Sequence, residues 1–252
     1  MSAIQRRTAV TDQTMETSPQ VYARIGGVLY LFVIAFGLFA EGFVSDRLIV
    51  SGDAAATARN IMASPSLWHI GVAANMMVAL CAVPLLLIEY VLLKPVSKNL
   101  VLLAVFFNLV SLAVEVISKL FLFAVGAALG NADYLTAFDP RQLQALAYLA
   151  LKSHGVAFNI ALIFFGFTCI VNGYLIFRSR YLPRLVGVLM QIAGACYLTA
   201  CIAALFAPAF LDLISPAILI PSFIGESSFC LWLLIKGIDT QKWLERASLN
   251  EV

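Results

Sequence analysis

Charge is scarce in this sequence. Only 12% of its 252 residues are Asp, Glu, Lys or Arg, against roughly 25% in a soluble globular chain. Histidine is scarcer still, with two residues, His69 and His154, so chemistry that needs several imidazole ligands has little to draw on. No basic stretch is longer than Arg6-Arg7 and the formal net charge is +2. Nucleic-acid binding therefore has no electrostatic footprint, and no nucleic-acid partner is expected. No G-x-x-x-x-G-K-[ST] segment exists, and no strand precedes a dinucleotide fingerprint. The five cysteines (Cys81, Cys169, Cys196, Cys201, Cys230) fall inside apolar runs and form no C-x-x-C pair. An odd, buried set excludes a disulfide framework or zinc ribbon and reads as thiols in a membrane core.

What is abundant is apolar surface: 62% of the residues are hydrophobic and the mean hydropathy is +0.95. Six runs, at about 22–44, 67–93, 100–129, 143–177, 185–207 and 217–238, can each cross roughly 30 Å of hydrocarbon at about 1.5 Å per helical residue. The fold class is all-α, a polytopic transmembrane bundle of six helices. The first run is too long for a signal-peptide core and lacks a small-x-small cleavage site, so it stays as the first helix. Residues 1–21 are polar and aperiodic and read as a disordered tail; residues 239–252 form a second tail.

Orientation follows from the basic residues. Eleven lie on the side of the two tails and alternate loops: Arg6, Arg7, Arg24, Lys94, Lys98, Arg178, Arg180, Arg184, Lys236, Lys242 and Arg246. Three, Arg47, Arg59 and Arg141, lie on the other. The positive-inside rule puts both termini in the cytoplasm. The outer connections are the longer ones, and DAAATARNIMA (53–63) has helix formers behind an Asp cap, suited to lie along the outer interface. RIGGVL at Arg24–Leu29 and RLVGVL at Arg184–Leu189 are a faint internal echo.

Ionisable groups inside the hydrocarbon are costly and mark functional sites by default. Counted along their helices at about 1.5 Å per residue, Glu41 and Glu115 lie roughly 25 Å from the cytoplasmic edge, with Lys119 one turn beyond Glu115. His154 falls near the outer boundary with Lys152 beside it, and Glu226 near mid-membrane. Asn108, Ser111, Glu115 and Lys119 form one polar stripe at helical spacing, and Glu115 precedes Lys119 by four, the favourable order for an ion pair. The candidate pocket residues are Glu41, Glu115, Lys119, His154 and Glu226. Lys152, Gly155, Asn159 and Gly166 share a face of the fourth span. Ser222, Gly225 and Glu226 share one on the sixth. Glu89, one turn inside the cytoplasmic end, is expected to snorkel to water or meet Lys94. Trp68, Tyr22 and Tyr181 read as interfacial anchors, and Pro84 and Pro221 as the places for kinks.

The order of segments resembles a known family. YARIGGVLYL opens the first helix, Ser-His-Gly-x-x-Phe stands at Ser153–Phe158, NGYLIFRSRYLPR at Asn172–Arg184, and GESSFCLWLLIKG at Gly225–Gly237. Together these are similar to the domain-of-unknown-function family DUF4386 over about Tyr22 to Gly237. The resemblance implies an uncharacterised bacterial multi-span protein of the cytoplasmic (inner) membrane. It implies no catalytic role; on the family pattern Glu115, His154 and Glu226 are the polar positions to watch.

Several functions fit these residues. A polar pocket open to the outer side would admit a small amphiphile or cation, for binding or transport, with Glu226 as the group for any proton coupling. An intramembrane enzyme acting on a lipid-like substrate would use a His/Glu site as acid and base; if it held a metal, His154, Glu115 and Glu226 would be the ligands, although neither metal nor cofactor is expected. Haem or quinone redox work would need His69 and His154 to face one another. In a structural or accessory membrane protein the same residues would only hold helices together. The bilayer itself is the partner that every reading shares.

Overall fold

The computed structural model describes residues 18–249 as helices joined by short connections, with no strand among the described residues. Helix α1 runs Pro19–Leu48, α2 Ala54–Ala63, α3 Pro65–Leu93, α4 Lys98–Ala128, α5 Pro140–Ser179, α6 Arg184–Phe206, α7 Pro208–Ile214, α8 Ala217–Ile235 and α9 Thr240–Ser248. Six of these, α1, α3, α4, α5, α6 and α8, are long and apolar enough to cross a membrane.

The starts and stops are chemical. Proline occupies the first turn of α1, α3, α5 and α7, where its missing N–H would have had no partner. Asp53 Oδ1 accepts from the Ala56 amide at 2.8 Å and starts α2 as expected. Asp139 and Gln142 form a capping box ahead of α5, with the Asp139 amide donating to Gln142 Oε1 at 2.9 Å. Arg180 ends α5 in the left-handed region at φ 67°, which turns the chain within a few residues into α6.

The six spanning helices close into a ring in chain order, each packing on the next and α8 returning to α1. The ring carries its polar groups inside. Asn75, Asn108, Ser111, Lys119, His154, Asn172 and Glu226 are buried, while Leu80, Phe106 and Leu120 are exposed on its outer surface. A protein in water would do the reverse; lipid as solvent explains the inversion, because polar groups must find partners within the bundle.

The two ends of the ring differ. At the end carrying both termini, Ala23, Leu92, Ile176, Met190, Phe229 and Leu233 belong to one core. Tyr181 Oη and Trp243 Nε1 both donate to the Leu92 carbonyl, at 2.6 and 3.0 Å, and the Arg24 guanidinium donates to the Leu234 carbonyl. At the opposite end a second core, with Val44, Ile61, Trp68, Val125 and Leu151, joins α1–α5 and takes nothing from α6 or α8. The core at the terminal end thus includes residues of α6 and α8, and the one at the opposite end does not.

Several expectations are corrected here. Helix α1 begins at Pro19 rather than Tyr22; residues 1–17, where the rest of the expected disordered tail falls, lie outside the described residues, as do 250–252. The C-terminal tail contains α9, started by Asp239, whose side chain accepts from the Lys242 amide. Pro221 sits in the first turn of the α-helical part of α8 and kinks nothing, whereas Pro84 lies inside α3. Trp68 and Tyr181 are buried at 5% and 4% exposure rather than anchored in the interface; the Tyr181 hydroxyl bonds to backbone inside the bundle instead. Glu89 does not snorkel: it is 6% exposed and bonded to Asn172, because its face of α3 turns into the ring.

The last helix gives a pH test. A hydrogen bond and ion pair from Lys242, 2.9 Å away, hold the exposed Asp239 carboxyl below its usual range. A carboxylate whose folded value is depressed contributes stability above its unfolded value and loses it as pH falls through the folded one. The protection of amides 240–248, their exchange rate relative to the intrinsic rate at each pH, should therefore fall in acid, below the ordinary carboxylate range; protection that stays constant there would contradict the capping role.

Candidate functional site

The stripe on α4 turns inward. Ser111 Oγ donates to the Ala161 carbonyl of α5 at 2.8 Å, and Thr168 Oγ1 to the Ala104 carbonyl at 3.4 Å, so the two helices are joined by hydroxyls rather than by apolar packing alone. Two turns beyond Ser111, Lys119 is 1% exposed, with its Nζ 3.6 Å from Glu115 Oε1 and 4.7 Å from the centre of the Phe158 ring. A cation so deeply buried needs both an anion and a polarisable face.

His154 approaches from α5. Its Nδ1 lies 3.1 Å from the Ser118 carbonyl; a carbonyl only accepts, so Nδ1 carries a proton and Nε2 points the other way. Nε2 faces Glu41 Oε1 at 3.8 Å. An imidazole lone pair and a bare carboxylate would repel at that separation, so a proton resides on one of the two. Asn75 faces Glu41 from α3. Glu41 Oε1 and Lys119 Nζ are buried without a hydrogen-bond partner.

Glu41 owes its position to an irregularity. From Leu38 to Ser45 the first span is a π-helix, whose wider turns rotate the following side chains relative to a regular α-helix and recur at functional sites. Glu41 lies in the first turn of that segment. Ser45, one turn later, helps to line a cleft of about 480 Å³ between α1, α5 and the end of α6. Asp46, Lys152, Asn159 and Ser51 supply its polar lining, and Ile49, Leu151, Val156 and Leu205 the apolar part. Gly155, next to His154, opens onto it; a Cβ there would meet nothing within 4 Å.

Four of the five pocket candidates thus meet: Glu41, Glu115, Lys119 and His154. Glu226 does not join them. It belongs to a second polar group, where Tyr30 Oη donates to its Oε2 at 3.2 Å and Tyr197 Oη donates to its Oε1. Glu89 and Asn172 lie beside that group, with Asn172 Nδ2 donating to Glu89 Oε2 at 3.0 Å. The ligand set His154, Glu115 and Glu226 is therefore not assembled, and among the described residues no three His, Cys, Asp or Glu side chains stand close enough to hold a metal. His69 is exposed on α3 while His154 is buried, so the two histidines do not face one another. Sequence reasoning missed Tyr30 and Tyr197. The available signal was two tyrosines in mid-span, away from the interfaces that tyrosine favours.

A ring of six spanning helices, apolar outside and polar within, defines an integral multi-span membrane protein. The chain belongs to the family described as "Domain of unknown function (DUF4386)", whose model matches residues 25–237. It is also 31% identical over 150 residues to a protein of Archaeoglobus fulgidus, an "Uncharacterized protein", covering 59% of this chain and 72% of that relative. No solved structure matches it.

Proposed function

We propose that the protein binds a small amphiphile in the cleft between α1, α5 and α6, on the side of the membrane away from its termini. The cleft carries this reading: at about 480 Å³ it lies within the roughly 300–1,000 Å³ of small-molecule sites. Its lining is itself amphiphilic. Asp46 and Lys152 suit a headgroup that bears both signs of charge, and Ile49, Val156 and Leu205 suit a short apolar tail. The Glu41–His154 pair beside it supplies a proton-sharing contact for a polar group that reaches deeper. The excess of Lys and Arg on the terminal side supports a cytoplasmic location for both tails and an outward-facing cleft.

The test uses purified protein in a mild maltoside detergent, with a zwitterionic lysolipid as probe. The lysolipid should raise the thermal midpoint of the wild type, since a ligand of the folded state stabilises by mass action. Lys152→Glu should weaken that response at least tenfold in probe concentration, and Gly155→Leu should abolish it by filling the cleft. A Cβ at Gly155 meets nothing within 4 Å and the residue lines the open cleft, so the midpoint of Gly155→Leu should stay near the wild-type value. An unchanged lysolipid response in Gly155→Leu would refute the assignment.

A second reading has one specific support. His154, oriented through Nδ1 and facing Glu41 through Nε2, is arranged as a base held by a third group, which suits acid–base work on a headgroup. Mass analysis of the recovered lysolipid separates the two: an unaltered probe means binding, and a shortened one means catalysis.

A further inference from the structure

We propose that Glu89 and Glu226 form an occluded proton-binding carboxyl pair, separate from the cleft, with the proton held on Glu89 beside Asn172.

The observations begin with burial. Glu226 is 8% and Glu89 6% exposed, on α8 and α3, and the two carboxyls lie within electrostatic range of one another. Every element around them offers neutral groups. Tyr30 comes from α1, Cys169 and Asn172 from α5, Tyr197 from α6 and Cys230 from α8. No Lys, Arg or His among the described residues reaches ion-pair distance of either carboxyl. Two bare carboxylates in such surroundings would carry an uncompensated double charge, which buried sites do not sustain.

The hydrogen bonds divide the two acids. Both oxygens of Glu226 accept from phenolic hydroxyls, the arrangement of an ionised carboxylate that spreads its charge over two O–H donors. Glu89 accepts one N–H from Asn172, while the other atom of that amide, Oδ1, is buried without a partner. A buried amide oxygen requires a donor. A proton on the second oxygen of Glu89 supplies one and closes an acid–amide pair in which each group donates once and accepts once. The orphaned Asn172 oxygen thus selects Glu89 as the protonated member. Leu92, Ile176 and Phe229, each buried, belong to the apolar core at this end of the ring.

Infrared difference spectroscopy on the full chain in lipid vesicles tests this through the carbonyl stretch of a protonated carboxylic acid. The wild type at neutral pH should show that band and lose it in alkali. Glu89→Gln should remove it. Glu226→Gln should keep it and move its loss to lower pH, because a neighbouring negative charge that favours the proton is gone. If Glu89→Gln fails to fold, Glu89→Asp, which keeps the acid, should shift the same band in frequency. A band that survives Glu89→Gln, or that Glu89→Asp leaves unmoved, would overturn the assignment. So would its absence from the wild type. A band that emerges only when choline replaces sodium would reassign the pair as a sodium site.

Discussion

Replacing Lys119 by Met should lower the unfolding free energy by about 3–5 kcal/mol, the usual loss when one partner of a buried ion pair is removed. Lys119 is 1% exposed and the Glu115 side chain 13%, so the glutamate left behind has little water to turn to. The Phe158 ring that lies 4.7 Å from the ammonium would lose its cation as well. Adding Glu115→Gln to Lys119→Met should recover most of the loss, since neither member of that ion pair is then left without its partner. Denaturant unfolding in mixed micelles measures both variants. If the double variant is as unstable as the single one, packing of the Lys119 stem rather than its charge holds this region together. Restoration also bears on function: His154 and Glu41 lie on the same cluster, so the double variant should keep the lysolipid response only if the Glu41–His154 pair serves the cleft alone.

The second large effect lies in the hairpin of α5 and α6. Gly166 and Gly173 stand seven residues apart on α5, as do Gly187 and Gly194 on α6, and heptad spacing returns each pair to one side of its helix. A Cβ on Gly173 would sit 2.7 Å from the Gly187 carbonyl oxygen, and one on Gly194 would sit 2.5 Å from that of Gly166. The obstructing atoms are backbone, so the helices must separate. Gly187→Ala should cost about 1–3 kcal/mol through overpacking, and Gly187→Leu should prevent recovery of folded protein. Gly37 on α1 has nothing within 4 Å of its Cβ position, so Gly37→Ala should be neutral or stabilise by up to about 1 kcal/mol through helix propensity. Equal responses at Gly187 and Gly37, read by the same unfolding assay, would contradict close backbone packing as the organiser of the hairpin. Both glycines are helical, and only one of them has a neighbouring backbone in its way.

Some of the site was legible without coordinates. The Glu115–Lys119 pair follows from four-residue spacing on one helix, and counting residues along each span puts Glu41, His154 and Lys119 toward the same end of the bundle. Those are local properties, fixed by helical geometry within a single element. The exclusion of Glu226 from that cluster was not legible, because counting gives depth along the membrane normal and says nothing of position around the ring. Glu89 shows the same gap from the other side. One turn from a helix end, it reads as a snorkelling acid until its azimuth is known, and it then turns inward to Asn172, 83 residues away in the chain.

The sequence by itself determined the solvent, the six spanning helices and the polar stripe of α4, because hydrophobic runs and 3.6-residue periodicity act along the chain. It also determined the starts of α2 and α5, through the Asp53 and Asp139 caps. The tertiary structure alone decided the ring closure of α8 on α1, the widened π segment that carries Glu41, and the division of five candidate groups into two sites. These depend on which faces of helices meet, and a face is chosen by packing against neighbours distant in sequence, where backbone contacts such as Gly173 on Gly187 leave few alternatives.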